Sequence, residues 1–92
     1  MTRAELLHHA IKVYGEESQI LMVFEEMSEL QKEICKRARG KDNAVLIAEE
    51  IADVRIMLDQ LEIICDLDGL IDCVEDAKLK RLAERLGVKY GE

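Results

Sequence analysis

"NAVLIAEEIADVRIMLDQLEIIC", Asn43–Cys65, is the stretch that decides the fold. It contains neither proline nor glycine, and its apolar residues recur with the helical period of about 100° per residue. One side of that helix carries Leu46, Ile47, Val54, Met57, Leu58, Leu61 and Ile64, and another carries Val45, Ala48, Ala52, Ile56 and Ile63. Arg55, Asp59 and Glu62 are the chief residues left to face water. A helix that is apolar on two sides is covered on two sides. In a chain of 92 residues a partner subunit is the expected second cover.

Working outward, glycine-containing breaks divide the whole chain into four helical segments. Thr2 with Glu5 forms a capping box for a first helix to about Tyr14, with Gly15 as its stop. A second helix starts at Ser18 or a neighbour, runs to about Ala38 and ends at Gly40. Asp42 or Asn43 caps the third. Asp68 caps a fourth that ends near Leu86, with Gly87 just beyond it. No segment alternates with period two. The expected fold is therefore all-α: a single domain, residues 1–92, forming an antiparallel helical bundle of about four helices completed by homo-oligomerisation.

Composition narrows the function. Thirteen basic against 20 acidic residues give a net charge of −7. That balance argues against a nucleic-acid partner, which needs a positive footprint over phosphates. It still allows one polyphosphate held through a divalent cation, which reverses the local sign. Cys35, Cys65 and Cys73 are an odd set with no CxxC pair, expected to be small buried apolar residues of a reducing compartment. No basic-then-apolar leader opens the chain, and the longest apolar runs, "ILMVF" and "AVLIA", are too short to span a membrane. The expected setting is cytoplasmic.

The carboxylates carry the chemistry. On the second helix Ile20, Val23, Phe24, Met27, Leu30 and Ile34 form the expected core stripe, and beside it runs a row of Gln19, Met22, Glu26, Glu29 and Glu33. Asp59 and Glu62 read as solvated charges, and Asp72 and Glu75 suit the first turns of the fourth helix. Glu50 and Asp53 differ, because they fall inside the apolar arc of the third helix, and burying an unpaired carboxylate is costly. If the second and third helices pack antiparallel across their short connection, Glu26 and Glu29 face Glu50 and Asp53. Such an oxygen-rich pocket suits Mg²⁺, with Mn²⁺ as a substitute; the competing reading is a solvated acidic face.

These residues also match a known pattern. "EEMSEL" supplies Glu26-x-x-Glu29 and "EEIADV" supplies Glu50-x-x-Asp53. The chain thereby resembles the MazG-like all-α nucleotide pyrophosphohydrolases, a superfamily that includes dimeric dUTPases and phosphoribosyl-ATP pyrophosphohydrolase. The resemblance runs from about Gln19 to Arg85, through "EEIADVRIMLDQL" and "KLKRLAERL", and is closest to short single-domain members of phage and Firmicute type. It implies Mg²⁺ on Glu26, Glu29, Glu50 and Asp53. It also implies hydrolysis of a nucleoside triphosphate substrate to the monophosphate and pyrophosphate, as in house-cleaning of non-canonical nucleotides, by a homodimer or homotetramer. Beside the motif glutamates, Glu25 and Glu49 are either a further ligand, a general base or a solvated flank. Lys78 and Arg81 are the basic residues placed to meet substrate phosphates, or else a solvated edge. Gln19 either touches substrate or supports a ligand.

Other chemistries are less well served. His8 and His9 are adjacent and point to different parts of a helix surface, so they do not share a metal. No ExxH occurs, which argues against a ferritin-like di-iron centre. Neither GxxxxGK[ST] nor GxGxxG is present. Outside enzymology, the same helices would serve a non-catalytic oligomerisation or nucleotide-sensing module, or a plain structural bundle.

Overall fold

The computed structural model describes residues 1–91, among which four α-helices occur and no strand: α1 (Arg3–Tyr14), α2 (Glu16–Ala38), α3 (Ala44–Ile64) and α4 (Leu70–Leu86). The capping box forms as the sequence predicts. Thr2 Oγ1 accepts from the Glu5 N–H at 3.2 Å, and Glu5 Oε1 accepts from the Thr2 N–H at 3.1 Å. The Thr2 N–H bonded to the Glu5 carboxyl, and then the Thr2 hydroxyl beside it, lower that carboxyl from its ordinary value.

Gly15 does more than end α1. With φ at 91° it turns the chain within one residue; its N–H donates to the Ile11 carbonyl and its own carbonyl accepts from Gln19. It is thus the N-cap of α2 as well, and α2 begins at Glu16, earlier than the start expected near Ser18. Glu16 and Glu17 then occupy the first turn, where negative charge meets the positive end of the helix.

Two further caps differ from expectation. Asn43 stands at the N-cap position of α3, but its side chain does not cap the helix. Instead Nδ2 donates to both the carbonyl and Oε1 of Glu33, each at 2.9 Å. Asp68 does not cap α4; Gly69 takes that place, because the turn after α3 closes between Leu67 and Leu70 and leaves Asp68 inside it. Gly87 ends α4 as expected, with the Val88 N–H donating to the Ala83 carbonyl at 3.0 Å.

The all-helical class stands, and the packing within one chain is uneven. α2 and α3 form the extensive pair, α1 lies against both, and α4 has no comparable packing partner. The radius of gyration is 16.4 Å, against about 12 Å for a compact chain of this length. Leu7, Val23 and Met57 are the buried apolar residues of the helical trio, and Ala83 is buried where the chain turns back after α4.

The expected core stripe of α2 is covered only in part. Val23 is buried and Ile20 and Leu30 are half-buried, but Phe24 is 65% exposed and Met27 and Ile34 are also open. On α3, Val45, Leu46, Ile56 and Leu58 are likewise exposed. The three cysteines are exposed free thiols, which corrects the expectation of burial. Cys65 sits at the end of α3, Cys73 lies on the uncovered α4, and Cys35 lies off the α2–α3 seam. Among the described residues, no helix is long and apolar enough to cross a membrane.

Candidate metal centre

The site grows from the α2–α3 seam. The Asn43–Glu33 bonds fasten the connection between the two helices, and antiparallel packing then brings the middle of α2 level with the middle of α3. Glu26 of α2 meets Glu50 and Asp53 of α3, with one carboxylate oxygen from each within 4.8 Å of the others. Glu26 and Glu50 are half-buried and Asp53 is exposed. Glu50 Oε2 is buried without a hydrogen-bond partner.

Among the described residues, no cationic side chain pairs with Glu26, Glu50 or Asp53. The ion pairs among the described residues are Arg3–Asp59, Lys32–Glu29, Lys36–Glu33 and Lys80–Asp76. The carboxyls respond as crowded acids do. Burial, then the charges of Asp53 and Glu50, and a hydrogen bond to Asp53 push Glu26 above its ordinary value. Burial, then Asp53, Glu29, Glu33 and Glu49, push Glu50 up as well.

This donor set fits a hard divalent cation. Ligand oxygens at about 2.1 Å from Mg²⁺ stand about 3 Å apart when adjacent and about 4.2 Å when opposite. The three oxygens, within 4.8 Å of one another, lie close to that spacing. Beside it an open concavity of about 570 Å³, lined by Phe24, Glu25, Glu26, Ser28 and Glu29, leads from solvent.

The other expected residues are placed as follows. Glu29 stands outside the three-carboxylate group, exposed and paired with Lys32 at 3.4 Å, although its charge still acts on Glu26 and Glu50. Glu25 lines the concavity, and Glu49 is exposed next to Glu50. Gln19 is buried, at 6% exposure. Lys78 and Arg81 are exposed on α4, which has no extensive packing on the α2–α3 pair, and neither forms an ion pair with the carboxylates. His8 and His9 are exposed and line separate grooves. Asp59, read from sequence as a solvated charge, ties α3 to α1 through Arg3.

Gln60 escaped the sequence reading, Asn43 was expected only as a helix cap, and Glu33 had no role beyond extending the acidic row. With Gln19 they are the buried polar residues of the described chain, Gln60 being only 4% exposed. A signal was available in the spacing. Gln19, Glu26 and Glu33 recur every seven residues on α2, while Asn43 precedes Glu50 by seven and Gln60 follows Asp53 by seven. Polar residues at that interval in apolar helices mark a seam.

Fold and site together define an all-α protein with an acidic centre between two antiparallel helices. In comparisons with protein-family models, with curated proteins and with solved structures, nothing matches the chain.

Proposed function

We propose that the chain is a Mg²⁺-dependent nucleotide pyrophosphohydrolase of the MazG-like kind, converting a nucleoside triphosphate and water to the monophosphate and pyrophosphate. The observation that carries this reading is the meeting of Glu26, Glu50 and Asp53 with no counter-cation and with a buried, unpartnered Glu50 oxygen. A buried carboxylate oxygen without a partner is costly, and a bound cation would answer it. A bound Mg²⁺ supplies neutralisation of phosphate oxygens and a more acidic water. Glu26, Glu50 and Asp53 hold it, with Glu29 as the fourth ligand on the strength of the motif. Glu25 and Glu49 flank these ligands and are the candidates to take the proton from the attacking water, as one P–O–P bond breaks and pyrophosphate leaves.

The reading includes a homodimer or homotetramer in the cytoplasm. Exposed apolar residues on α2, α3 and α4 support association, since a surface this apolar is expensive to leave in water. With no extensive packing of α4 on its own α2–α3 pair, association is also the route by which Lys78 and Arg81 would meet a bound triphosphate. Three exposed free thiols suit a reducing compartment.

A pyrophosphate-release assay across a panel of nucleoside triphosphates tests the proposal. Release should require Mg²⁺ and be lost in Glu50→Gln while the helical circular-dichroism signal is kept; a Glu50→Gln protein that turns over normally would overturn it. A second reading, a non-catalytic nucleotide-sensing module, draws on Glu29, which lies outside the three-carboxylate group and pairs with Lys32. Calorimetric binding of nucleotide with Mg²⁺ and no product would select it.

A further inference from the structure

We infer that the α2–α3 seam carries its own register pins: the Glu33–Asn43 pair on one side of the carboxylates, and the Gln19 and Gln60 amides on the other, are positioning residues that keep Glu26 level with Glu50 and Asp53. The inference deepens the proposed metal site and rests on it for its consequence, though the register itself is measured without metal.

Four observations converge on these residues. First, they are the buried polar side chains of the described chain, and all four belong to α2 or to α3 and its N-cap. Second, each lies seven residues from a carboxylate of the site. Seven residues make 20° short of two turns, so each pin shares a helix face with its carboxylate, about 10.5 Å away along the axis. Because the helices are antiparallel, Gln19 and Gln60 lie toward one end of the pair and Glu33 and Asn43 toward the other. Third, the Asn43–Glu33 contact is made by two hydrogen bonds of 2.9 Å across the inter-helix connection, and Lys36 closes on the same carboxylate at 3.1 Å. Fourth, the Gln60 Oε1 and Asn43 Oδ1 atoms are buried without partners. Groups left in that state detract from stability, and specification of one alignment is the best-attested use of buried polar residues that carry such a cost.

The need for pins follows from α3 itself. Its apolar residues cover more than one side, so a slide of the pair by one turn exchanges apolar neighbours for apolar neighbours. A slide of one turn is about 5.4 Å, more than the 4.8 Å within which Glu26 now meets Glu50 and Asp53. The Glu33–Asn43 layer opposes that slide, because a one-turn displacement breaks both of its hydrogen bonds and leaves a carboxylate and an amide facing hydrocarbon. The Gln19 and Gln60 amides restrict which residues can lie opposite them. Buried polar residues fix the register of coiled coils in the same way, at some cost in stability.

The test uses the full chain and two variants, Gln60→Leu and Asn43→Leu. Gln60→Leu removes a buried orphan acceptor in favour of an apolar side chain, so its metal-free melting midpoint should hold or rise. Its Mn²⁺ affinity, read by electron paramagnetic resonance, should fall about tenfold, as for partners that orient metal ligands. An affinity within twofold of the parent, with or without a lower melting midpoint, marks a merely structural role and overturns the inference. The second readout is the α2–α3 distance between spin labels at Ser28→Cys and Arg55→Cys, in a background with Cys35, Cys65 and Cys73 changed to Ser and diluted with unlabelled chain. The parent should give one narrow distance, and both variants should add a population shifted by about one turn. If the parent binds no Mn²⁺, the metal reading fails and this distance alone decides: an unchanged narrow distance in both variants overturns the register pins.

Discussion

Replacing Glu50 with Gln should separate the metal-free protein from the metal-bound one in a single melting experiment. Glu50 shares a space within 4.8 Å with Glu26 and Asp53, has a buried oxygen without a partner, and has no cation beside it. Removing its charge relieves repulsion in the metal-free state, so the metal-free midpoint rises in Glu50→Gln. The parent gains stability from Mg²⁺ instead. At a hundred times the dissociation constant, a ligand bound only by the folded chain contributes about 2.7 kcal/mol. An unfolding entropy of about 2.1 cal/mol/K per residue, taken over 92 residues, converts that to a shift of about 14 °C. Circular-dichroism melts near neutral pH, at one chain concentration, with Mg²⁺ or with a chelator, read both effects. A parent that melts alike in the two conditions, or a Glu50→Gln chain that keeps the full Mg²⁺ shift, would refute the assignment of Glu50 as a ligand.

Metal-free stability should also depend on pH in two opposed windows. Glu26 and Glu50 have folded values raised above 4.5, so their contribution is fully present below the unfolded value and is lost as pH rises through the folded one. Glu5 and Glu33 are lowered, the latter by Asn43 and then Lys36, so their contribution is present above the unfolded value and is lost as pH falls through the folded one. The metal-free midpoint should therefore climb as pH falls from neutral toward the ordinary carboxylate range and drop below it, with saturating Mg²⁺ flattening the upper limb; a steady decline from neutral pH would contradict this. Within the motif, Glu26→Gln should weaken Mn²⁺ binding more than Glu29→Gln, because only Glu26 belongs to the three-carboxylate group; calorimetry giving the reverse order would reassign the ligands. Sedimentation at micromolar concentration should show an assembly of at least two chains, and Leu82→Lys with Leu86→Lys, both on exposed apolar positions of α4, should dissociate it. A monomeric parent would remove the oligomer from the reading.

Local chemistry was legible in the sequence, and long-range chemistry less so. The capping box at Thr2 and Glu5 and the stop at Gly15 involve residues within a turn of one another, and they form as read. Glu50 and Asp53 stood out because a charge inside an apolar arc needs a reason, and the structure brings Glu26 to them. The departure of Glu29 from that group was not legible, since it depends on how α2 crosses α3 and on Lys32 one turn away. Asn43 was read as a helix cap because Asn competes well for that place. Its actual partner, Glu33, is ten residues back and is reached only after the helices pair. The exposure of the cysteines and the stand-off of α4 likewise belong to tertiary packing, about which a helical period says nothing.

The most direct measurement is phosphorus NMR of a nucleoside triphosphate panel incubated with the full chain in Mg²⁺ and in chelator. Monophosphate and pyrophosphate should appear in equal amounts with at least one triphosphate, in Mg²⁺ alone. Triphosphates that all remain intact, or that yield diphosphate and orthophosphate instead, would contradict a pyrophosphohydrolase built on Glu26, Glu50 and Asp53.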